Sequence, residues 1–229
     1  MIDHLEIKNT TCLNCNIQDN ELFGTLNYAQ INHLNNTKTC VVLKKKNIIF
    51  NEGSAVTSAY CIRTGKIKLY STGIDGKKQI IQILKKGNII GLTDLLKQNN
   101  HELTAETLED SIICRIDKTS FLKLLNSMPV LKDNVASLLS NEISILTKEI
   151  TNITQRSVRQ RLAYIILILN DIYENKITMS RQDIADYVGA STENIIRELS
   201  SFKKENLIQI ERNIILVKSQ NKLKIIASY

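Results

Sequence analysis

Residues 179–208 read MSRQDIADYVGASTENIIRELSSFKKENLI, and this stretch decides how the last third of the chain folds. Ser180 stands three residues before Asp183, the arrangement of a capped helix start. The apolar stripe that follows is Ile184, Ala185 and Val188. Gly189 can adopt the positive φ that ends a helix. The pattern predicts a short helix closed by a tight turn.

A second helix is predicted directly after the turn. Ser191 is its cap, and Asn194 occupies the third helical position. Its apolar face consists of Ile195, Leu199 and Phe202. Two short helices joined by a turn of about three to four residues form a helix-turn-helix.

The opposite face of the second helix carries Glu193, Ile196 and Arg197 near the N-terminus, with Thr192 beside them. This is where a recognition helix meets base edges in the major groove. Arginine can bind guanine through two acceptors, glutamate can accept from cytosine, and isoleucine can pack on a thymine methyl. An ordinary helical hairpin with a solvated charged face is the alternative interpretation.

The charge of the chain is compatible with a polyanionic partner such as double-stranded DNA. The 229 residues carry a net charge of +7. Residues 156–229 hold twelve Lys/Arg and eight Asp/Glu, a net +4, so the excess is concentrated around the helix-turn-helix. There is no signal-peptide pattern and no apolar run of about 18 residues. We therefore expect a soluble, cytoplasmic protein that does not contact a membrane.

From Thr37 to Ile116 the pattern changes to short strands separated by glycines. The predicted strands are Cys40–Leu43, Asn47–Phe50, Ala59–Ile62, Ile67–Tyr70, Gln79–Leu84, Asn88–Ile90 and Ser111–Ile116. Asp75 and Gly76 make a good hairpin turn. Many short strands with turn-bounded spacing indicate a barrel or jelly roll.

Helical periodicity surrounds this region on both sides. The predicted helices cover residues 21–37, a short stretch around Phe121–Leu125, about 130–154, 155–175 and a final piece from Asn221. In the long helix, apolar residues recur at alternating three- and four-residue steps, close to a heptad seam. The seam could cover a second copy of the chain or pack on its own barrel; we favour a homodimer. Leu207–Val217 is predicted to form a hairpin, which makes the last part a winged helix.

This organisation resembles the CRP/FNR family of bacterial transcription regulators over nearly the whole chain. The resemblance implies an α+β fold with a β-barrel or jelly-roll sensor domain of the cyclic-nucleotide-binding type at 1–129. A long dimerisation helix at 130–154 and a winged helix-turn-helix at 155–229 would follow. Its most specific part is the run from Ser180 to Arg197.

The same match implies a set of DNA contacts. Glu193 and Arg197 would bind bases, and Ile196 would contact a thymine methyl. The candidates in full are Ser180, Arg181, Gln182, Ser191, Thr192, Glu193, Asn194, Ile196 and Arg197. By analogy with the family, the loop Gly73–Lys78 is a possible contact for RNA polymerase, but we favour an exposed hairpin without such a role.

One branch of the family binds cyclic AMP through a Gly-Glu pair and a later Arg-Ser pair. Here Gly91 is followed by Leu92, and the Arg-Ser position falls near His101-Glu102. Glu102 would repel the cyclic phosphate, which needs a positive partner when buried. We therefore expect no cyclic AMP binding.

The other branch holds an iron–sulfur cluster on four cysteines. Cys12, Cys15 and Cys114 resemble three of the ligands, while the remaining position is Glu21. Three thiolates with a carboxylate from Glu21 or Asp19 could bind a cluster. Alternatively, Cys114 is a small buried apolar residue, and the Cys-x-x-Cys pair is half of a zinc site, a redox pair or without a role. Cys40 and Cys61 are expected in the core, with a ligand role as the minor alternative. All five cysteines are expected as thiols or metal ligands rather than disulfides.

The prediction is therefore a non-enzymatic, homodimeric, sequence-specific transcription regulator, controlled by an effector or redox signal in the barrel. A thiol redox protein using Cys12 and Cys15 is a remote rival, because the pair lacks the strand-to-helix setting of such enzymes. A ligand-binding module that acts only on protein partners is a second rival.

Overall fold

The structure, a computed structural model, describes residues 11–15 and 20–228. It divides into two compact units. One contains the described residues up to Ser71 together with Ile83–Ser144, and the other contains Thr72–Gln82 and the described residues from Ile145 onward. Within the described residues, no helix is both long enough and apolar enough to cross a membrane.

The N-terminal part is the expected jelly roll of antiparallel strands. Its strands are β1 (Lys38–Leu43), β2 (Ile48–Phe50), β3 (Ser58–Thr64), β4 (Lys66–Thr72), β5 (Lys78–Lys85), β6 (Ile89–Ile90), β7 (Thr104–Thr107) and β8 (Ser111–Asp117). They form one sheet in the order β1-β8-β3-β6 and another in the order β2-β7-β4-β5. A cluster of fully buried aliphatic side chains fills the barrel, including Ile62, Ile67, Ile90 and Ile113.

Helices cover the barrel and build a second apolar cluster. They are α1 (Tyr28–Thr37), α2 (Leu92–Lys97), α3 (Lys118–Ser127) and the long α4 (Pro129–Gln155), preceded by a 3₁₀ turn at Cys12–Cys15. The cluster joins Phe23, Leu34 and Phe121 to the strand residues Ala59 and Ile116. This burial is what attaches the N-terminal segment to the sheet that contains β3 and β8.

Three local predictions were wrong. Residues 21–25 form turns rather than helix, and α1 begins only after Asn27, whose side chain caps it. Helix α2 was not predicted. Strand β7 was also missed because its sequence is polar; it is buried nevertheless, since Glu106 Oε1 lies 3.2 Å from Lys68 Nζ on β4 and the two charges compensate each other.

The long helix has the predicted extent but not a uniform environment. Pro129 occupies its first turn, where the missing N–H costs nothing. Leu131, Val135 and Leu138 are buried against the helix's own barrel. Further along, Ile145 and Leu146 are 48% and 45% exposed, and Ile143 and Ile150 are 65% exposed. The first half therefore packs on its own chain, while the second half presents apolar side chains to solvent.

The C-terminal unit is a winged helix-turn-helix, as predicted. Helices α5 (Val158–Ile172), α6 (Arg181–Val188), α7 (Thr192–Lys204) and α8 (Gln220–Ser228) surround the hairpin of β9 (Ile208–Glu211) and β10 (Ile214–Val217). Its core contains Leu162, Ile166, Ile184, Leu199, Phe202 and Leu223, each at most 1% exposed. This core fixes α7 against α5 and leaves the other face of α7 outside.

Candidate nucleic-acid interface and cysteine pocket

The first helix of the motif, α6, begins and ends where the sequence predicts. Ser180 Oγ accepts a hydrogen bond from the backbone N–H of Asp183 at 3.0 Å, which satisfies a free donor at the helix start. Gly189 ends the helix with a φ of +71°, a conformation that glycine adopts without steric cost. The turn geometry thus follows from residues visible in the sequence.

Arg161 on α5 holds this turn in place, which the sequence analysis missed. Its Nε donates to the carbonyl of Val188 at 2.9 Å, and one Nη donates to the carbonyl of Gly189 at 3.1 Å. The other Nη donates to the carbonyl of Arg156 at 2.9 Å. The planar guanidinium therefore satisfies carbonyls at the end of α6 and places a positive charge where the helix dipole favours it.

The second helix, α7, is capped by Ser191, whose Oγ accepts from the N–H of Asn194 at 3.3 Å. Its buried face is the predicted one: Ile195, Leu199 and Phe202 are at most 1% exposed. Because that face is anchored in the core, the opposite face has a fixed orientation within the C-terminal unit.

Arg159 on α5 further fixes α7 and was not singled out from the sequence. It donates to both carboxylate oxygens of Glu205, at 2.8 and 2.7 Å, and to Glu198 at 3.3 Å. Its guanidinium also lies 4.8 Å from the centre of the Phe202 ring. Hydrogen bonds from Arg159 and then Ser201 lower the pKa of Glu205. Glu198 is therefore paired with Arg159 inside the unit and is not one of the outward-facing residues of α7.

Glu193, Ile196 and Arg197 form the exposed face of α7, hereafter the recognition face. Their spacing of three and four residues puts them on one side of the helix. Ile196 is 50% exposed, an unusual position for an aliphatic side chain in a packed unit. The Arg197 guanidinium donates to Asn194 Oδ1 at 3.0 Å, so its side chain is held over the first turn.

The remaining predicted contacts lie beside the recognition face. Thr192 Oγ1 donates to Gln182 Oε1 at 2.7 Å, and Gln182 Nε2 donates to Asp186 Oδ1 at 2.7 Å. Arg181 is half-buried, and burial lowers the pKa of its guanidinium, which nonetheless stays charged. All nine predicted DNA contacts therefore gather at the N-terminal ends of α6 and α7. Arg212, exposed at the β9–β10 turn, is a further cation that the sequence analysis did not assign.

A separate pocket, partly open to solvent, lies in the N-terminal unit. Cysteines from the 3₁₀ turn and from the sheet line it: Cys12, Cys15, Cys61 and Cys114. Lys38, Arg63 and Lys86 also line it. The backbone N–H of Cys12 donates to Asn35 Oδ1 at 3.0 Å, which ties the turn to α1. The three predicted cysteine ligands are thus brought together, with Cys61 among them.

The expectation that the cysteines are thiols or metal ligands rather than disulfides was wrong for two of them. Cys40 on β1 and Cys114 on β8 are joined by a disulfide, with Cα atoms 4.1 Å apart, because the two residues are directly opposite in the antiparallel pair. Cys12, Cys15 and Cys61 are free thiols. Burial raises the pKa of Cys61, and the nearby Cys12 and Cys15 raise it further. Burial likewise raises the pKa of Cys12, while Lys38 opposes the shift.

Glu21, the fourth predicted ligand, lies elsewhere. It is exposed and is not among the residues that line the pocket. Burial raises the pKa of Glu142 on α4, and the charge of Glu21 raises it further, so Glu21 is close to Glu142. Asp19 lies outside the described residues. Among the residues that are described, no three His, Cys, Asp or Glu side chains are placed so as to hold a single metal ion.

The position that holds a cyclic phosphate in one branch of the family has a different chemistry here. His101 is 2% exposed; its Nδ1 lies 3.0 Å from Asp94 Oδ2, and its ring stacks on Phe50 with centroids 3.7 Å apart. Leu92 is buried, and Glu102 forms an ion pair with Lys97 at 2.8 Å. Leu92 and Glu102, the two residues that disfavour cyclic AMP, therefore both lie in this region. The absence of cyclic AMP binding stays an expectation.

Known proteins match both parts of this architecture. The family model of the cyclic nucleotide-binding domain matches residues 40–128, and that of the Crp-like helix-turn-helix domain matches residues 160–226. Regulatory protein HlyX of Actinobacillus pleuropneumoniae is 30% identical over 223 residues, covering 93% of this chain and 92% of HlyX. The Anaerobic regulatory protein of Aggregatibacter actinomycetemcomitans is 29% identical over 221 residues, covering 93% of this chain and 86% of that protein.

The structure of FixK2 from Bradyrhizobium japonicum has the same fold, with a TM-score of 0.75 at 21% identity over 82% of this chain and 96% of FixK2. A jelly roll, a long helix and a winged helix-turn-helix with an exposed recognition face define a DNA-binding transcription regulator rather than an enzyme. The chain belongs to the CRP/FNR family.

Proposed function

We propose that the protein is a homodimeric regulator that recognises a specific two-fold-related DNA sequence and responds to a redox signal in its barrel. The recognition face carries the first part of this proposal. Glu193, Ile196 and Arg197 offer an acceptor, a methyl contact and a bidentate donor, the chemistry that distinguishes base pairs in the major groove. Ser180, Ser191 and Thr192 supply hydroxyl groups for phosphates at the helix ends.

The exposed apolar part of α4 supports a second copy as the dimer partner. Ile145 and Leu146 are about half exposed on a helix whose first half is buried. Exposed aliphatic residues in a heptad-like pattern can be buried by packing against the same helix of another chain. Two copies related by a two-fold axis would also place two recognition helices about 34 Å apart, one turn of duplex DNA. The division into sensor, dimerisation helix and DNA-binding domain belongs to the same proposal.

The cysteine pocket is the proposed sensor, and an iron–sulfur cluster is the form of it that we favour. Two observations support it: thiols converge on one pocket, and the relatives include a protein named Anaerobic regulatory protein. Cys12, Cys15 and, once its disulfide with Cys40 is reduced, Cys114 would hold the cluster, and thiolates are its usual ligands. A bound cluster would supply a centre that reacts with oxidants. The residues themselves provide a site shielded by Phe23 and Leu34 and bordered by cations.

The test compares DNA binding in two redox states of the full-length protein. We expect protein reconstituted with iron and sulfide under anaerobic conditions to contain about four iron atoms per chain and to bind DNA more tightly than after exposure to air. Binding should weaken steeply with salt, because phosphate contacts release counterions. A colourless, iron-free dimer with the same DNA affinity in both states would contradict redox sensing by a cluster.

The proposal also includes a contact with RNA polymerase and a place of action. The turn Gly73–Lys78 is exposed, as a contact for RNA polymerase would require. The proposed place of action is the cytoplasm, where duplex DNA is available to the recognition face. Cyclic AMP is not proposed as a ligand, because Glu102 and Leu92 replace the groups that would bind its phosphate and ribose.

A further inference from the structure

Three cysteines form a row across one sheet of the barrel. On β8, Cys114 is directly opposite Cys40 of β1 on one side and directly opposite Cys61 of β3 on the other. Residues directly opposite in neighbouring antiparallel strands project from the same face of the sheet. The side chains of Cys40, Cys114 and Cys61 therefore share one face.

The 3₁₀ turn that carries Cys12 and Cys15 lies over this face. Both residues line the same pocket as Cys61 and Cys114, although they are separated from them by tens of residues in the sequence. Cys61 is the member of the row that neither the Cys-x-x-Cys motif nor the disulfide uses. It lies beside Cys114, which is a candidate ligand by resemblance to the family.

The charges around the pocket suit a set of thiolates. Its described lining contains Lys38, Arg63 and Lys86 and no carboxylate. Four thiolates on a cluster carry a net negative charge, and buried charge requires compensation from nearby groups. Glu21 would add another negative charge and is exposed outside the pocket.

We propose that Cys61 is the fourth thiolate ligand, with Cys12, Cys15 and Cys114, of the iron–sulfur cluster in this pocket. The inference rests on the redox-sensing function proposed above. Four thiolates around a cluster stand further apart than around a single zinc ion, so the absence of a compact single-ion site among the described residues does not conflict with it.

The disulfide is the alternative state of the same site. Cys114 has one sulfur atom, which either bonds to Cys40 or binds iron. A dithiol reductant transfers two electrons and two protons to the disulfide, yielding two cysteine thiols while the reductant becomes a cyclic disulfide. Cys40 is thus the cysteine outside the ligand set, and this gives the experiment its matched control.

The experiment reconstitutes the full-length chain anaerobically with ferrous iron, sulfide and dithiothreitol. Iron, acid-labile sulfide and visible absorption are measured for the wild type and for Cys61→Ser, Cys40→Ser and Glu21→Gln. We expect the wild type, Cys40→Ser and Glu21→Gln to load equally, and Cys61→Ser to lose the absorption and most of the iron. Circular dichroism checks that each variant is folded.

A second measurement does not depend on the Cys61 variant folding. Native-state alkylation rates of the cysteines are followed by mass spectrometry in Cys40→Ser protein, with and without iron and sulfide. We expect loading to slow the alkylation of Cys61 as much as that of Cys15. Equal loading of Cys61→Ser and wild type, or an unchanged rate at Cys61 while Cys12 and Cys15 are protected, would overturn the assignment alone. A wild-type protein that takes up no iron would overturn both the assignment and cluster-based sensing.

Discussion

At the scale of single residues, the arginines of the DNA-binding unit fall into two groups. Arg159 and Arg161 are used inside the unit, whereas Arg197 and Arg212 are exposed on its surface. The same residue type therefore has two roles that the sequence alone does not distinguish. Substituting Arg197 should change the preference for a DNA sequence, whereas substituting Arg161 should change the free energy of unfolding.

Arg197→Ala tests base recognition. If the side chain binds guanine, its loss should cost about 1–3 kcal/mol on the preferred sequence and relax the preference at one base pair. Binding is measured by fluorescence anisotropy on a sequence selected from a random pool and on its single-base variants. Arg212→Ala is the matched control and should weaken binding to all sequences similarly. A uniform loss for Arg197→Ala on every sequence would reject base recognition by this residue.

Arg161→Ala tests the positioning of the turn. The variant leaves the carbonyls of Val188 and Gly189 without their charged donor, and hydrogen bonds to a charged group contribute about 1.5–3 kcal/mol each. We expect the free energy of unfolding of the C-terminal unit to fall by about 2 kcal/mol in urea denaturation. Lys222→Ala, an exposed cation on α8, should change it little. Equal stabilities of the two variants would mean that Arg161 does not hold the turn.

The partly buried carboxyl of Glu142 should make the free energy of unfolding depend on pH. Because burial and then Glu21 raise the pKa of its carboxyl in the folded state, folding favours the protonated form. That contribution is present below the unfolded pKa and is lost as pH rises through the folded pKa. Glu142→Gln should therefore be more stable than wild type at pH 7, and the difference should vanish below about pH 4. A difference that is independent of pH in urea titrations would contradict this account.

At the scale of elements, the two halves of α4 have different environments. Leu131, Val135 and Leu138 are buried in the core of the N-terminal unit, while Ile145 and Leu146 face solvent. A periodic apolar pattern cannot by itself distinguish these two uses, because both require the same spacing. The sequence therefore predicted the helix correctly, and the homodimer that it favoured stays a prediction.

Leu146→Glu tests the proposed dimer contact. A buried, unpaired carboxylate at a two-fold interface is strongly unfavourable, so we expect monomers in analytical ultracentrifugation and much weaker DNA binding. Ser137→Glu is the control, because nine residues of helix place it on the opposite side and it is exposed. A Leu146→Glu protein that remains dimeric would place the interface elsewhere.

The predictable elements are those whose signals are local. The caps at Ser180 and Ser191, the turn at Gly189 and the glycine-bounded strands all act within a few residues. Strand β7 was missed because Glu106 is buried only through its pairing with Lys68 on another strand. The position of Cys61 beside Cys114 depends on strand register, which the sequence pattern did not specify.

At the scale of the whole molecule, the proposed function requires that a signal at the cysteines of one unit changes DNA binding by the other. A signal can shift DNA affinity only if it stabilises two arrangements of the dimer differently. Under the proposed function, the Cys114 sulfur would have two mutually exclusive partners, Cys40 and iron, and each state would stabilise a different arrangement. The recognition face is anchored in the core of its unit. A change in its DNA affinity would therefore require the whole unit to be placed differently.

The most direct test of the central claim is photo-crosslinking from the recognition face. Ile196 is replaced by a benzophenone amino acid, and the protein is irradiated on its selected duplex. We predict crosslinks to bases at two positions about one helical turn, roughly 10 base pairs, apart. Crosslinks confined to protein, or to a single position on DNA bound by one chain, would contradict the account.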